Sequence, residues 1–221
     1  MSGILRAHSD KGPYRQENQD SFWCSQLDIG GSMCTVMLMC DGMGGLNAGR
    51  QASVAVVKAV RGAVLSGYYK VRDIMLVCNS VHSQLVDAFG NSGTTMTYLW
   101  SDGVYWELVH IGDSRAYKKT DRGYELISQD HSVVAEYARA GRKMTPEFER
   151  KHRSMLTRCI GMGTPRYYTN SGEVDRGFLL CSDGFWHNFD GGINLRNLEE
   201  AVGYCIDKGE SDNVTVMTLD C

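Results

Sequence analysis

The chain has 221 residues, an apolar fraction of 43% and 23 Lys and Arg against 26 Asp and Glu, a formal net charge of −3. That balance excludes disordered, collagen-like and low-complexity classes, and without a basic surplus neither nucleic acid nor an anionic membrane is held by counterion release. At 24.6 kDa one domain over residues 1–221 is expected, long enough to bury roughly 70% of its unfolded surface.

The opening residues, Met1 to Asp10, are broken by Arg6, His8 and Asp10 and contain no apolar core, so they do not read as a signal peptide. The longest apolar run, Met33 to Cys40, is too short to span a bilayer. Cysteines 24, 34, 40, 78, 159, 181, 205 and 221 show neither a Cys-x-x-Cys pair nor zinc spacing, which fits free thiols in a reducing compartment. A cytoplasmic, monomeric protein is expected. Asn213-Val-Thr215 has the form of a glycosylation sequon and is read as coincidence.

In chain order, Ser21–Ser25 and Ser32–Cys40 read as strands, the second buried and ending at Asp41-Gly42. Asn47–Leu65 and Asp73–Phe89 carry apolar residues at three- and four-residue spacing and read as amphipathic helices. Thr94–Trp100 and Val104–Ile111 form a hairpin across Ser101-Asp102-Gly103, and Ala116–Lys119 with Tyr124–Ile127 forms another. Val133–Ala140 is helical to Gly141, and Arg142–Arg153 is a polar helical insert. Gly177–Cys181 is a strand, Leu195–Ile206 a helix and Val214–Leu219 the last strand. Antiparallel runs with helices grouped between them indicate an α+β layered fold.

Four aspartates occupy the same kind of place. Asp41, Asp113 and Asp183 each follow an apolar strand, and Asp212 immediately precedes one. In an antiparallel sheet the end of one strand lies beside the start of its neighbour, so all four can meet at one rim. Each alone reads equally as a turn former; together they would repel unless cations lay between them. All-oxygen ligands without His or Cys suit Mg²⁺ or Mn²⁺, and Gly42 lets its carbonyl approach an ion. Before the first strand, Arg15 supplies a forked cation suited to phosphate. Met33, Met37 and Met39 read as core filling, Trp100 and Trp106 as packing, and the six histidines as scattered, His131 being a structural hydrogen-bonding residue.

Competing site patterns fail. Cys159 and Arg166 are one residue too far apart for a cysteine phosphatase and lack the preceding His; Gly112-Asp-Ser114-Arg-Ala116 misses the second glycine of a serine-hydrolase elbow. A dinucleotide fingerprint from Gly42 would need glycine where Asn47 stands.

The order of motifs resembles the metal-dependent protein phosphatase 2C family, of the short bacterial type. The matching pieces are Arg15-x-x-Asn18-Gln19-Asp20-Ser21, Cys40-Asp41-Gly42-Met43-Gly44-Gly45, Ser92-Gly93-Thr94-Thr95 and Gly112-Asp113-Ser114-Arg115-Ala116-Tyr117. Asp130-His131-Ser132, Leu156-Thr157-Arg158, Cys181-Ser182-Asp183-Gly184 and Asp212-Asn213-Val214-Thr215 follow. The resemblance implies a four-layer αββα sandwich of two antiparallel sheets flanked by helix pairs, with a two-ion Mn²⁺ or Mg²⁺ centre at one end. It implies that Asp41 bridges both ions, the Gly42 carbonyl binds one, and Asp183 and Asp212 the other. Asp113 matches the acid that, with Asp183, holds a weaker third ion. Arg15 matches the phosphate-binding arginine, and Asp20 an acid that orients metal-bound water.

Gln19 stands where many members have Glu and is expected to bind more weakly or through water. Met43 stands where eukaryotic members carry a histidine proposed as general acid. A short flap insert is expected around residues 132–166. The implied activity is hydrolysis of phosphoserine and phosphothreonine in proteins by a metal-bridging hydroxide, opposing a bacterial Ser/Thr protein kinase. Alternative substrates are phosphorylated antagonists of anti-sigma factors. A phosphoprotein-binding pseudophosphatase is the non-catalytic alternative, disfavoured because Asp41, Asp183 and Asp212 are all present.

Overall fold

The layering follows from one strand that is apolar on both faces. The structure, a computed structural model, describes residues 3–44, 48–189 and 193–221. Along β3 (Ser32–Met43), Cys34, Val36, Leu38 and Cys40 face one way and Met37 and Met39 the other, all buried, the period-two alternation of a strand enclosed on both sides. The first face packs on α1 (Ala48–Leu65) and α2 (Val71–Phe89) through Ala52, Val56, Val60, Ile74, Cys78 and Leu85. The second faces another sheet.

The sheet containing β3 runs in the order β2 (Asp20–Ile29), β3, β5 (Met96–Ser101), β6 (Tyr105–Ile111), β9 (Tyr168–Glu173), and the two-residue β4 (Gly93–Thr94) pairs with the end of β3. The other sheet runs β1 (Ile4–Asp10), β11 (Val214–Asp220), β10 (Gly177–Cys181), β7 (Arg115–Thr120), β8 (Gly123–Leu126). Every strand pair is antiparallel. Between the sheets lie Met37, Met39, Leu99, Leu108, Phe178, Leu180, Met217 and Leu219. The outer face of the second sheet is covered by the single turn α5 (Asp183–Trp186) and by α6 (Leu198–Asp207), which pack Phe185, Ala201, Val202 and Cys205 on Leu179, Cys181, Val214 and Val216. Three apolar clusters separate four layers, the expected αββα sandwich.

Between β8 and β9 the chain leaves the sandwich for α3 (Val133–Arg139) and α4 (Pro146–His152), neither of which contains a buried residue. Ser132 and Thr145 cap them by accepting from the Ala135 and Phe148 amides, and Tyr137, Phe148 and His152 stack between them.

Most expected elements occur within a few residues of their expected bounds. Asn47, the expected helix start, lies outside the described residues, as does Gly45. β3 does not end before Asp41 but continues to Met43, because β4 pairs Gly42 with Thr94 and Met43 with Gly93. Two strands absent from the sequence reading, β1 and β9, are the open edges of their sheets. An edge strand needs no continuous apolar run: β1 carries only Leu5 and Ala7 into the core, and β9 only Tyr168. Met33 was expected in the core but is 51% exposed, since it lies near the β2–β3 turn beyond both neighbouring layers. All eight cysteines are free; Cys24 is half-buried, Cys221 exposed and the other six buried. Trp100 and Trp106 are buried, as their packing role requires. No helix among the described residues is long and apolar enough to cross a membrane.

Leu180, fully buried between the sheets, is expected to cost about 2–5 kcal/mol when replaced by Ala. Met33→Ala should stay within about 0.5 kcal/mol of the parent. Urea unfolding of the two variants checks both.

Candidate metal centre

The site is assembled from strand ends. Asp20 opens β2 directly opposite Asp41 in the ladder with β3. The backbone of Asp41 is fixed on both sides: its carbonyl accepts from the Thr95 amide at 2.8 Å and the Thr94 hydroxyl at 2.9 Å, and its amide donates to Thr95 Oγ1 at 2.9 Å. The Gly42 amide donates to the Gln19 carbonyl. A Cβ on Gly42 would stand 2.2 Å from the Gly49 carbonyl oxygen, so only glycine lets the first turn of α1 close against β3 here.

On the second sheet Asp183 follows β10 and opens α5, while Asp212 precedes β11. Ser182 joins the two segments reciprocally, its amide donating to the Thr215 carbonyl and its hydroxyl accepting from the Thr215 amide, both at 3.0 Å. Asn213 ties the N-terminal loop to the same point. Its side-chain amide donates to the Lys11 and Glu17 carbonyls, and its Oδ1 accepts from the Gln19 amide. Asn213 was quoted in the sequence only as part of a motif; its role as a staple is a contact between residues some 200 positions apart, which sequence spacing does not reveal. A relay from Asn18 through Ser9 to Thr215 ends on Asp20, whose Oδ2 accepts from Thr215 Oγ1 at 2.5 Å.

Arg15, Gln19, Asp41, Gly42, Asp113, Asp183 and Asp212 all line one cleft of ≈ 190 Å³, together with Met43, Ser154 and Leu156. Of the expected site residues, Asp20 alone lies beneath the cleft rather than on its wall, 6% exposed. Asp113 lies two residues beyond β6, and Thr95 Oγ1 links its neighbour Ser114 to Asp41. The half-exposed Arg15 makes an ion pair with Asp212 Oδ2 at 2.5 Å. Gln19 donates through its side-chain NH₂ to Glu17 and to the Gly44 carbonyl while lining the cleft. The histidines are not scattered as expected: His110 and His131 stack with ring centroids 5.3 Å apart, and His131 hydrogen-bonds through Nδ1 to the Gly112 amide.

Burial sets the electrostatics. Asp41 is pushed well above the ordinary carboxylate range, first by desolvation and then by Asp20, Asp183, Asp113 and Asp212. Asp183 is raised well above it by desolvation, Asp113, Asp212 and Asp20. Asp113 rises to about 7, through burial and then Asp130. Asp20 rises to about 6, through burial against the lowering bond from Thr215. Two carboxylate oxygens, Asp20 Oδ1 and Asp183 Oδ1, are buried without any hydrogen-bond partner. Crowded, desolvated acids with orphaned oxygens fit hard divalent cations. The acids line an open cleft rather than a finished cage: among the described residues no three His, Cys, Asp or Glu side chains close on one ion position.

With this geometry in hand, comparison with known proteins is specific. A family model for protein phosphatase 2C matches residues 7–207, and the chain belongs to that family. The serine/threonine protein phosphatase PstP of Mycobacterium tuberculosis is 29% identical over 98% of this chain and 45% of its own length, so this chain spans about half of that relative. A protein described as a putative 2C-type protein phosphatase, from Streptococcus pyogenes serotype M6, is 30% identical over 88% of this chain and 80% of its own. The crystal structure of the M. tuberculosis serine/threonine phosphatase PstP/Ppp matches with a TM-score of 0.80 and 26% identity, covering 100% of this chain and 99% of that one.

A carboxyl whose folded pKa exceeds its unfolded value of about 3.9 holds its proton more tightly when folded. Such groups favour folding at low pH and oppose it as pH rises through the folded values. For Asp20 and Asp113 that window runs from about pH 4 to the values of about 6 and about 7. In EDTA the Tm is expected to fall between pH 5.5 and pH 8, and Asp113→Asn should raise it at pH 8, by about 2–4 °C for each kcal/mol relieved. Calorimetric scans across that range test both; a Tm that climbs with pH would contradict the charge assignment.

Proposed function

We propose that the chain is a divalent-cation-dependent phosphatase that hydrolyses phosphoserine and phosphothreonine in proteins and opposes a Ser/Thr protein kinase. The observation carrying this reading is the convergence of Asp41, Asp113, Asp183 and Asp212 with Arg15 on one cleft, in a chain of the protein phosphatase 2C family.

In this reading Asp41 and the Gly42 carbonyl would hold one ion, Asp41 with Asp183 and Asp212 would be drawn onto a second, and Asp113 with Asp183 would hold a weaker third, Mn²⁺ or Mg²⁺ in each case. When bound, such ions bring the pKa of coordinated water toward neutrality and neutralise phosphoryl oxygens. Arg15 commits one nitrogen to Asp212, which holds the guanidinium at the cleft, and its remaining fork suits a phosphoryl group. Asp20 is held through Oδ2 by Thr215 while Oδ1 is unpartnered. That free Oδ1 can accept from a water, as orienting one requires. Gln19, a neutral amide where a carboxylate would bind more strongly, would bind a cation weakly or only through water. Met43 lines the cleft but has no proton to give, so the leaving oxygen would take its proton from water, either free or held at the third-ion site. Residues 132–166 form the flap, with Ser154 and Leu156 reaching the cleft wall.

Phosphate release from a phosphothreonine peptide is expected with Mn²⁺, and none after EDTA. Asp183→Ala should abolish that release while keeping the far-UV spectrum, and Arg15→Ala should lower kcat/KM at least ~100-fold. Turnover in EDTA, or normal turnover by Asp183→Ala, would refute the cation-dependent reading.

A further inference from the structure

The turn Gly112-Asp113 is gripped from three directions. The Gly112 carbonyl accepts from the His131 amide at 2.7 Å and from the His110 ring at 3.0 Å, and the Gly112 amide donates to His131 Nδ1 at 3.1 Å. The Asp113 carbonyl accepts from Trp186 Nε1 at 2.9 Å. Both imidazoles are fully enclosed, His110 0% and His131 1% exposed. A carbonyl only accepts, so His110 carries its proton on Nε2 and its Nδ1 accepts from the Thr97 hydroxyl at 2.9 Å. His131, accepting at Nδ1, carries its proton on Nε2.

The same elements are tied by a second bond set. Arg115 is held by Asp130 through three contacts of 3.1, 3.1 and 2.7 Å, and its guanidinium lies 3.5 Å over the Trp186 ring. Gly112 is at φ +112°, and a Cβ there would stand 2.5 Å from Thr95 Cβ, so only glycine lets this turn pack against Thr95. The Asp130-His131 and Gly112-Asp113 motifs are thus each other's partners, with Trp186 closing the contact from the segment after Asp183.

We infer that His131, supported by His110 and Trp186, is a positioning residue whose Nδ1 acceptor fixes the Gly112-Asp113 backbone, and with it the place from which the Asp113 carboxylate projects, and so sets the affinity of the cation bound at the Asp113 end of the cleft. The inference rests on the cation-dependent reading given above. Partners that orient a ligand rather than touch the ion typically change metal affinity ten- to a hundredfold when lost. His131→Leu removes the acceptor, whereas His131→Asn places Oδ1 where Nδ1 stood. Trp186→Phe removes only the indole donor and keeps a ring beneath Arg115.

The test is Mn²⁺ binding to the full chain, read from the loss of the free-ion electron paramagnetic resonance signal, with Tm in EDTA recorded for each variant. His131→Leu and Trp186→Phe should weaken the weakest class of bound Mn²⁺ about tenfold or more and leave the tightest class unchanged. His131→Asn should return within about threefold of the parent, a rescue that loss of packing alone would not give. Parental isotherms for folded His131→Leu and Trp186→Phe would overturn the inference, as would an Asn variant no better than Leu. Should His131→Leu fail to fold, Trp186→Phe decides on its own. A parent chain that binds no Mn²⁺ would instead sink the cation reading on which the inference stands.

Discussion

The crowding of like charge at one rim of the sandwich is the constraint that the remaining structure serves. Asp20 and Asp113 are buried and Asp41 and Asp183 half-buried; desolvation raises the pKa of all four, and neighbouring acids push Asp41 and Asp183 higher still, while the guanidinium of Arg15, on Asp212, is the cation paired with an acid of this cluster among the described residues. An isolated fold gains nothing from this arrangement; desolvating carboxylates beside one another opposes folding. It persists because three apolar layers supply the stability that the rim removes.

The scaffold answers that constraint with backbone rather than with counter-charge. Asp41 is held at both its amide and its carbonyl by Thr94 and Thr95. Gly42 and Gly184 let backbone from α1 and from the start of β11 approach within distances that any side chain would block, a Cβ on Gly184 lying 2.3 Å from the Asn213 carbonyl. The staples Ser182, Asn213 and Thr215 are uncharged and buried, so they fix the acids without neutralising them. An arginine at each acid would stabilise the fold more, yet would occupy the place of the cations that the oxygen set fits.

How much of this was legible in the sequence depends on whether a residue is defined by its own segment or by a distant one. β3 and β10 are buried on both faces, and their apolar runs announced them, as did the Asp-Gly steps that follow. β1 and β9, covered on one face and open at the sheet edge, left no comparable run. The convergence of Asp41, Asp113, Asp183 and Asp212 was readable because antiparallel pairing places strand ends beside strand starts. The engaged amide of Gln19, the placement of Asp20 beneath the cleft, and the His110–His131 stack were not. Each is set by a partner contributed from another segment, and one sequence carries no record of such pairings.

The cleft has one rigid wall and one that is lightly anchored, and the division is physical. The acids sit at or just beyond the ends of strands that run into the buried core, so their positions follow those strands. The opposite wall, with Ser154 and Leu156, belongs to the segment of α3 and α4, which bury no residue and rest on ring contacts among Tyr137, Phe148 and His152. It is closed on itself by a bridge from Ser132 to Leu156 and joined to the sandwich by one from Ile160 to Thr94. A segment so attached opens at far lower free energy than the sheets. It also tolerates changes in its exposed residues at little cost, since surface substitutions usually shift stability by no more than about 0.5 kcal/mol. Chemistry that demands fixed oxygens is therefore confined to the strand ends. On the proposed reading, contacts with a protein substrate would fall to the more lightly anchored wall, which can change without disturbing them.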